Sequence, residues 1–142
     1  MSLKQIQDEI IEEFSVFNDW LDRYDYLIEL GNDLPEIDPE YKTDEYLING
    51  CQSKVWLNAD YNDGKIWYHA DSDAIIVKGI AALLVKALNG QPPEEIINND
   101  LYFIDEIGLK QNLSPTRSNG LVAMVKKMKT YALAYQAREK SK

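Results

Sequence analysis

The chain has little of what builds covalent or metal-held scaffolds: one cysteine, Cys51, and one histidine, His69, in 142 residues. A disulfide framework needs paired cysteines and is excluded. An intramolecular zinc site is not expected on the same count. Basic residues are also few, 15 against 24 acidic ones, for a formal net charge of −9. That balance argues against a broad nucleic-acid surface, where phosphate contacts require Lys and Arg. Long apolar runs are missing as well. The longest, Ala74 to Leu88, is interrupted by Lys78 and Lys86 and is shorter than the ~20 residues a membrane span needs. Met1 to Gln5 lead into an acidic amphipathic pattern without an apolar signal core, so no targeting segment and no membrane partner are expected. A lone thiol fits a reducing compartment, and a soluble cytoplasmic protein is the expectation.

What is present suffices for a core. Hydrophobic residues make up 45% of the chain and aromatic ones 11%, which excludes general disorder and predicts one domain over residues 1–142. The charge is segregated. Residues 1–50 carry 14 acidic and 3 basic side chains, and residues 110–142 carry 1 acidic and 8 basic. Such runs are either solvated helix faces or an acidic face that steers the chain toward a basic protein partner.

Periodicity predicts the elements. Leu3, Ile6, Ile10, Phe14 and Phe17 recur at helical spacing, and so do Trp20, Leu21, Tyr24, Leu27 and Ile28, with Gly31 and Asn32 as a C-terminal stop. The period then changes. Val55, Leu57 and Ala59 alternate with Trp56, Asn58 and Asp60, Asn62-Asp63-Gly64 supplies a tight turn, and Ile66 to His69 returns. Tyr46-Leu47-Ile48 is expected as a short third strand. Asp71-Ser72-Asp73 is expected to cap a helix reaching Leu88, apolar almost all round and hence central, with Gly79 marking a close approach. Short helical pieces follow around residues 94–99 and 102–107. Ser114 at the N-cap and Pro115 at the first position open a last helix, with Leu121, Val125, Met128, Ala132 and Tyr135 as its buried stripe. The expected fold class is α+β, a small antiparallel sheet packed by helices.

Cys51 draws the chemistry. Gly50 permits a tight bend just before it, at a loop-to-strand junction that can present a nucleophile on a rigid base. In strand phase with Val55 and Leu57 it is either a small buried hydrophobe or a thiol at the mouth of an apolar pocket. Lys54 is a candidate to favour the thiolate. A Cys51–His69 dyad would make a hydrolase or transferase, although nothing in the sequence places His69 beside the thiol. Arg117 falls at the third position of the last helix, where a cation opposes the helix dipole and calls for a partner, with Asp71 and Asp73 as candidates, or a task at the thiol.

Three blocks carry a resemblance. Gly50-Cys51-Gln52-Ser53-Lys54-Val55-Trp56, Asp71 to Gly79, and Leu113 to Leu121 resemble, in order and spacing, the SufE family of sulfur acceptors in iron–sulfur cluster assembly. The resemblance covers nearly the whole chain and implies a SufE/IscU-like fold. It implies an accessory protein rather than an enzyme, whose Cys51 takes persulfide sulfur from a cysteine desulfurase of the SufS or CsdA type and stimulates it. Asp73 and Arg117 match positions flanking that site. No cofactor of its own is implied, since PLP belongs to the desulfurase. A SufBCD-type scaffold is the implied recipient, and a homodimer is left open. The alternative is an interaction protein with a structural Cys51.

Overall fold

A computed structural model of the chain describes residues 2–140, so the expected domain bounds at 1 and 142 lie outside the described residues. The elements run α1 (Leu3–Ser15), α2 (Trp20–Asp33), β1 (Val55–Asn62), β2 (Lys65–Ser72), α3 (Ile75–Leu88), α4 (Pro93–Asn98), α5 (Phe103–Glu106) and α6 (Pro115–Lys140). This is the expected α+β arrangement, with the strands reduced to one antiparallel hairpin.

Local chemistry sets the ends. Ser2 and Gln5 form a reciprocal capping box at α1, which satisfies two amides that the helix leaves without partners. Asp19 caps α2 through the Asp22 amide. The hairpin registers Asn62 against Lys65, so Asp63 and Gly64 form the two-residue turn. Both have positive φ, 54° and 78°, the geometry that matches strand twist.

The centre is α3, where ten of the 14 residues are buried, among them Ile80, Leu83, Leu84 and Leu88. Burying each such side chain contributes about 1.5–3 kcal/mol, so this helix holds on packing. The Asp71-Ser72-Asp73 cap is not formed. Asp71 and Ser72 stay in β2, paired with Trp56 and Val55, and the N-cap residue is Ala74, without a side-chain cap bond. The stop at Gly31 is also corrected. Gly31 lies inside α2 against Gly79 of α3, and the close approach expected at Gly79 is to Leu27 and Gly31. Leu21 is 71% exposed because the face of α2 turned to α3 carries Leu27 and Gly31. Phe17 lies past the end of α1 and packs its ring with Phe14 and Tyr26 instead.

The third strand does not form. Asp44–Tyr46 is a 3-10 turn, and pairing shrinks to one bridge between Leu47 and Trp56. The free edge of β1 explains this. Its alternate carbonyls at Val55, Leu57 and Ala59 accept from the Ile48 amide (2.9 Å), the Tyr131 hydroxyl (3.0 Å) and the Tyr135 hydroxyl (2.6 Å). Two tyrosines of α6 thus satisfy the edge where a strand would otherwise pair. The Tyr68 hydroxyl reaches the other way, donating to the Met128 carbonyl at 2.6 Å. Along α6 the buried stripe is Leu121, Met124, Met128 and Ala132. Met124 takes the place expected for Val125, which is half-buried.

Candidate functional site

Cys51 sits in the loop between the Leu47–Trp56 bridge and β1. Strand geometry does not reach back to it. Gly50 precedes it at φ +93°, a conformation that a side chain would strain. Downstream the loop is pinned by Asp73. Its carboxylate accepts the Lys54 amide at 3.1 Å, while its own amide donates to the Lys54 carbonyl at 3.2 Å. The Ser72 hydroxyl donates to that same carbonyl at 2.8 Å. Asp73 therefore holds a peptide three residues from the thiol and does not touch the thiol.

The thiol faces α6. Its Sγ lies 3.8 Å from the Gly120 carbonyl, in reach of a weak S–H donation. A Cβ on Gly120 would stand 3.6 Å from the sulfur, so the missing side chain leaves the space in front of it open. A cavity of about 20 Å³ adjoins the sulfur, walled by Val77 of α3, Thr116, Arg117 and Gly120 of α6, and the Gln52-Ser53 loop. Space of that size holds about one water-sized group. Cys51 is half-buried against the core, and this burial pushes its thiol above the usual range. The resting group is the protonated thiol. Lys54 is exposed and does not oppose the effect.

Arg117 is at the third helical position as expected, with its amide donating to the Ser114 hydroxyl at 3.3 Å. Its guanidinium is exposed and forms no ion pair or hydrogen bond among the described residues. The acids expected to neutralise it are engaged elsewhere. Asp71 pairs with Lys42 at 3.4 Å and Lys78 at 3.3 Å. Burial works against its carboxylate, yet the Ser72 amide and the two lysines outweigh that and hold its pKa below the ordinary range. Lys42 also lies 4.9 Å above the Trp56 ring, which anchors the segment ahead of the cysteine loop.

His69 takes no part. Its Nε2 meets Asp60 at 2.9 Å on the exposed face of the hairpin, and His69 is absent from the walls around Cys51. The structure thus sets Cys51 and Arg117 around one small cavity, places Asp73 behind the loop, and separates His69. Val77 and Thr116 were not singled out by sequence reasoning. Nothing marks one apolar residue of a thoroughly apolar helix as a wall of the site. Among the described residues, no group of three or more His, Cys, Asp or Glu is placed to hold a metal ion.

The family model described as "SufE: Fe-S metabolism associated domain" matches residues 8–132. The chain belongs to the SufE family. A SufE-like protein of Rhizobium etli is 43% identical over 130 residues, covering 88% of this chain and 88% of that protein. One from Synechocystis is 41% identical over 128 residues, covering 90% and 80%. A chloroplastic/mitochondrial SufE-like protein of Arabidopsis thaliana is 39% identical over 131 residues, 92% of this chain but 35% of that longer protein. The SufE fold is shared with a solved structure, the solution structure of a hypothetical protein from Thermus thermophilus. It has a TM-score of 0.78 at 24% identity and covers 93% of this chain and 96% of the other. The expected SufE/IscU-like α+β architecture is therefore found. Among the described residues, no helix is long and apolar enough to cross a membrane.

Proposed function

We propose that this SufE-family chain, residues 1–142 acting as one domain, is a sulfur acceptor and carrier for iron–sulfur cluster assembly. The observation that carries the reading is the setting of its sole thiol. Cys51 sits in a loop fixed at both ends, beside a cavity sized for one further atom that Arg117 also lines, and the Arg117 guanidinium has no ion pair among the described residues.

The donor is a cysteine desulfurase of the SufS or CsdA type, whose PLP supplies the chemistry that frees sulfur from L-cysteine. The Cys51 thiol loses its proton and attacks the outer sulfur of the donor's persulfide. A new S–S bond forms at Cys51, the donor's S–S bond breaks, and the donor cysteine leaves as a thiolate. The sulfane sulfur changes owner and there is no net oxidation. Such exchange depends on thiolate fraction, leaving-group pKa and access. Burial keeps the first low at rest, so the isolated chain reacts sluggishly with stray oxidants and small thiols. Docking that brings Arg117 toward the sulfur offsets the charge on the attacking thiolate. Asp73 acts as a positioning residue by fixing the Lys54 peptide. The loaded persulfide meets no second thiol in the chain, so it survives until a SufBCD-type scaffold takes it. The protein completes no net reaction alone, which makes it an accessory that relieves the desulfurase of its product.

Desulfurase turnover with saturating L-cysteine tests this. The wild-type chain is expected to stimulate sulfur release, and Cys51→Ser to abolish the stimulation while still binding the enzyme. Full stimulation by Cys51→Ser would reduce Cys51 to a structural residue of an interaction protein. Arg117→Ala is expected to slow acceptance several-fold without lowering thermal stability. A loss of stability with transfer intact in the folded fraction would make Arg117 structural.

A further inference from the structure

A second surface adjoins the cysteine loop on the side away from Arg117. It is a groove of about 590 Å³ between the Leu47–Gly50 segment and the exposed flank of α6. Leu47, Val122 and Ala123 give it an apolar floor, with Val122 50% exposed. Lys126 and Lys127 stand on its rim, and among the described residues no carboxylate lines it. Lys127 rests its ammonium 5.4 Å above the Tyr131 ring, while Lys126 has no ion pair among the described residues. The far wall ends at Gly50, the residue before Cys51.

The charge distribution indicates what fits there. Residues 110–142 carry eight basic side chains and one acidic one in a chain of net charge −9. Of these, Lys126 and Lys127 line the groove, so an acidic partner is attracted here and repelled by the acidic remainder of the molecule, which favours one docking orientation as well as a faster encounter. The apolar floor asks for more than charge. A polypeptide segment that alternates carboxylates with an apolar side chain satisfies both floor and rim. A nucleic acid would leave Leu47, Val122 and Ala123 uncovered and would meet repulsion beyond the groove.

We propose that this groove seats an acidic, apolar-anchored segment of the protein that presents the persulfide to Cys51. The proposal rests on the sulfur-acceptor reading above and names the donor's contact. Acceptance is the step that needs such a contact most. The resting thiol is protonated and half-buried, and a segment pressed against Gly50 bears on the loop that carries it.

The test compares two routes of loading Cys51. One uses the desulfurase with L-cysteine, and the other uses glutathione persulfide, which needs no docking. The Lys126→Glu/Lys127→Glu variant is expected to raise the chain concentration for half-maximal loading by the desulfurase at least tenfold. It is also expected to flatten the loss of affinity with salt, and to leave glutathione persulfide loading unchanged. Val122→Asp is expected to weaken the enzyme route alone. The Arg pair, Lys126→Arg/Lys127→Arg, is expected to retain wild-type loading. Lys4→Glu/Lys65→Glu changes net charge equally and is expected to alter loading less than twofold. The four lysines are exposed and Val122 is 50% exposed, Lys4 pairs with Asp8 on the surface of α1, and a thermal melt checks each fold. Unchanged enzyme loading in the Lys126/Lys127 variant would overturn the proposal, as would an equal loss in the Lys4/Lys65 control. So would a change in self-association alone, which would assign the groove to a second copy. If wild-type Cys51 accepts sulfur by neither route, the acceptor reading itself fails, and the groove is not what failed.

Discussion

Gly79 and Gly120 are both helical glycines turned toward a neighbouring element, and they leave very different amounts of room. A Cβ on Gly79 would overlap the Leu27 carbonyl of α2, while one on Gly120 would meet only the Cys51 sulfur, at 3.6 Å. In the first case backbone lies on backbone, and neither helix can give way without moving the core. In the second a helix faces a loop, with one methyl's worth of slack. The α2–α3 crossing is where the fold is fixed. The α6–loop contact is where space has been left beside a reactive atom.

Substitutions at the two positions should therefore act in opposite directions. Gly79→Ala is expected to cost roughly 3 kcal/mol or more in denaturant unfolding, the upper range for overpacking a core, because the atoms it meets are main chain. A wild-type midpoint would show that the helices slide apart cheaply and would erase the contrast. Gly120→Ala is expected to stabilise the protein by up to ~1 kcal/mol, since alanine is the better helix former and 3.6 Å is an ordinary contact. The same methyl fills the space before the sulfur, so acceptance from a desulfurase is expected to slow several-fold. Acceptance at the wild-type rate would mean that this space has no part in transfer.

Two smaller effects sharpen the site half. Asp73→Ala removes the acceptor for the Lys54 amide and is expected to cost about 1 kcal/mol, typical of one hydrogen bond, while making Cys51 alkylation faster. Asp73→Asn keeps that acceptor and should stay near wild type. Equal effects from both would point to the charge rather than to the loop tether. The pH dependence of alkylation is the mildest probe. Because burial raises the folded thiol's pKa, its thiolate fraction near neutrality lies below that of a free thiol with pKa about 8.5. Alkylation at pH 7 is expected to be slower in the folded chain than in urea, and the difference should close as pH rises past the folded pKa. A folded thiol that reacts faster than the unfolded one would place an activating cation beside it at rest.

The elements that were legible in the sequence are those whose signal is local. The hairpin follows from alternation into Asp63-Gly64, α6 opens at Ser114-Pro115, and the centrality of α3 follows from its unbroken apolarity. Gly79 was legible as a close contact because an interior glycine costs a helix stability without a packing reason. What sequence could not give were competitions decided in space. Tyr131 and Tyr135 take the carbonyls that a third strand would have used, and no spacing rule links residue 131 to Leu57. Gly31 reads as a helix stop until Gly79 is found against it. At the site, Cys51, Gly50 and the helical position of Arg117 were readable. The pairing of Asp71 with Lys78 and with the distant Lys42, which leaves Arg117 without an ion pair among the described residues, is decided in space.

Intact-mass measurement of the chain after incubation with a cysteine desulfurase, PLP and L-cysteine is the most direct test of the central claim. The account predicts a gain of ~32 Da, one persulfide sulfur, located by peptide mapping at Cys51 and absent from Cys51→Ser. An unmodified Cys51 after many turnovers of a desulfurase that binds the chain would contradict it.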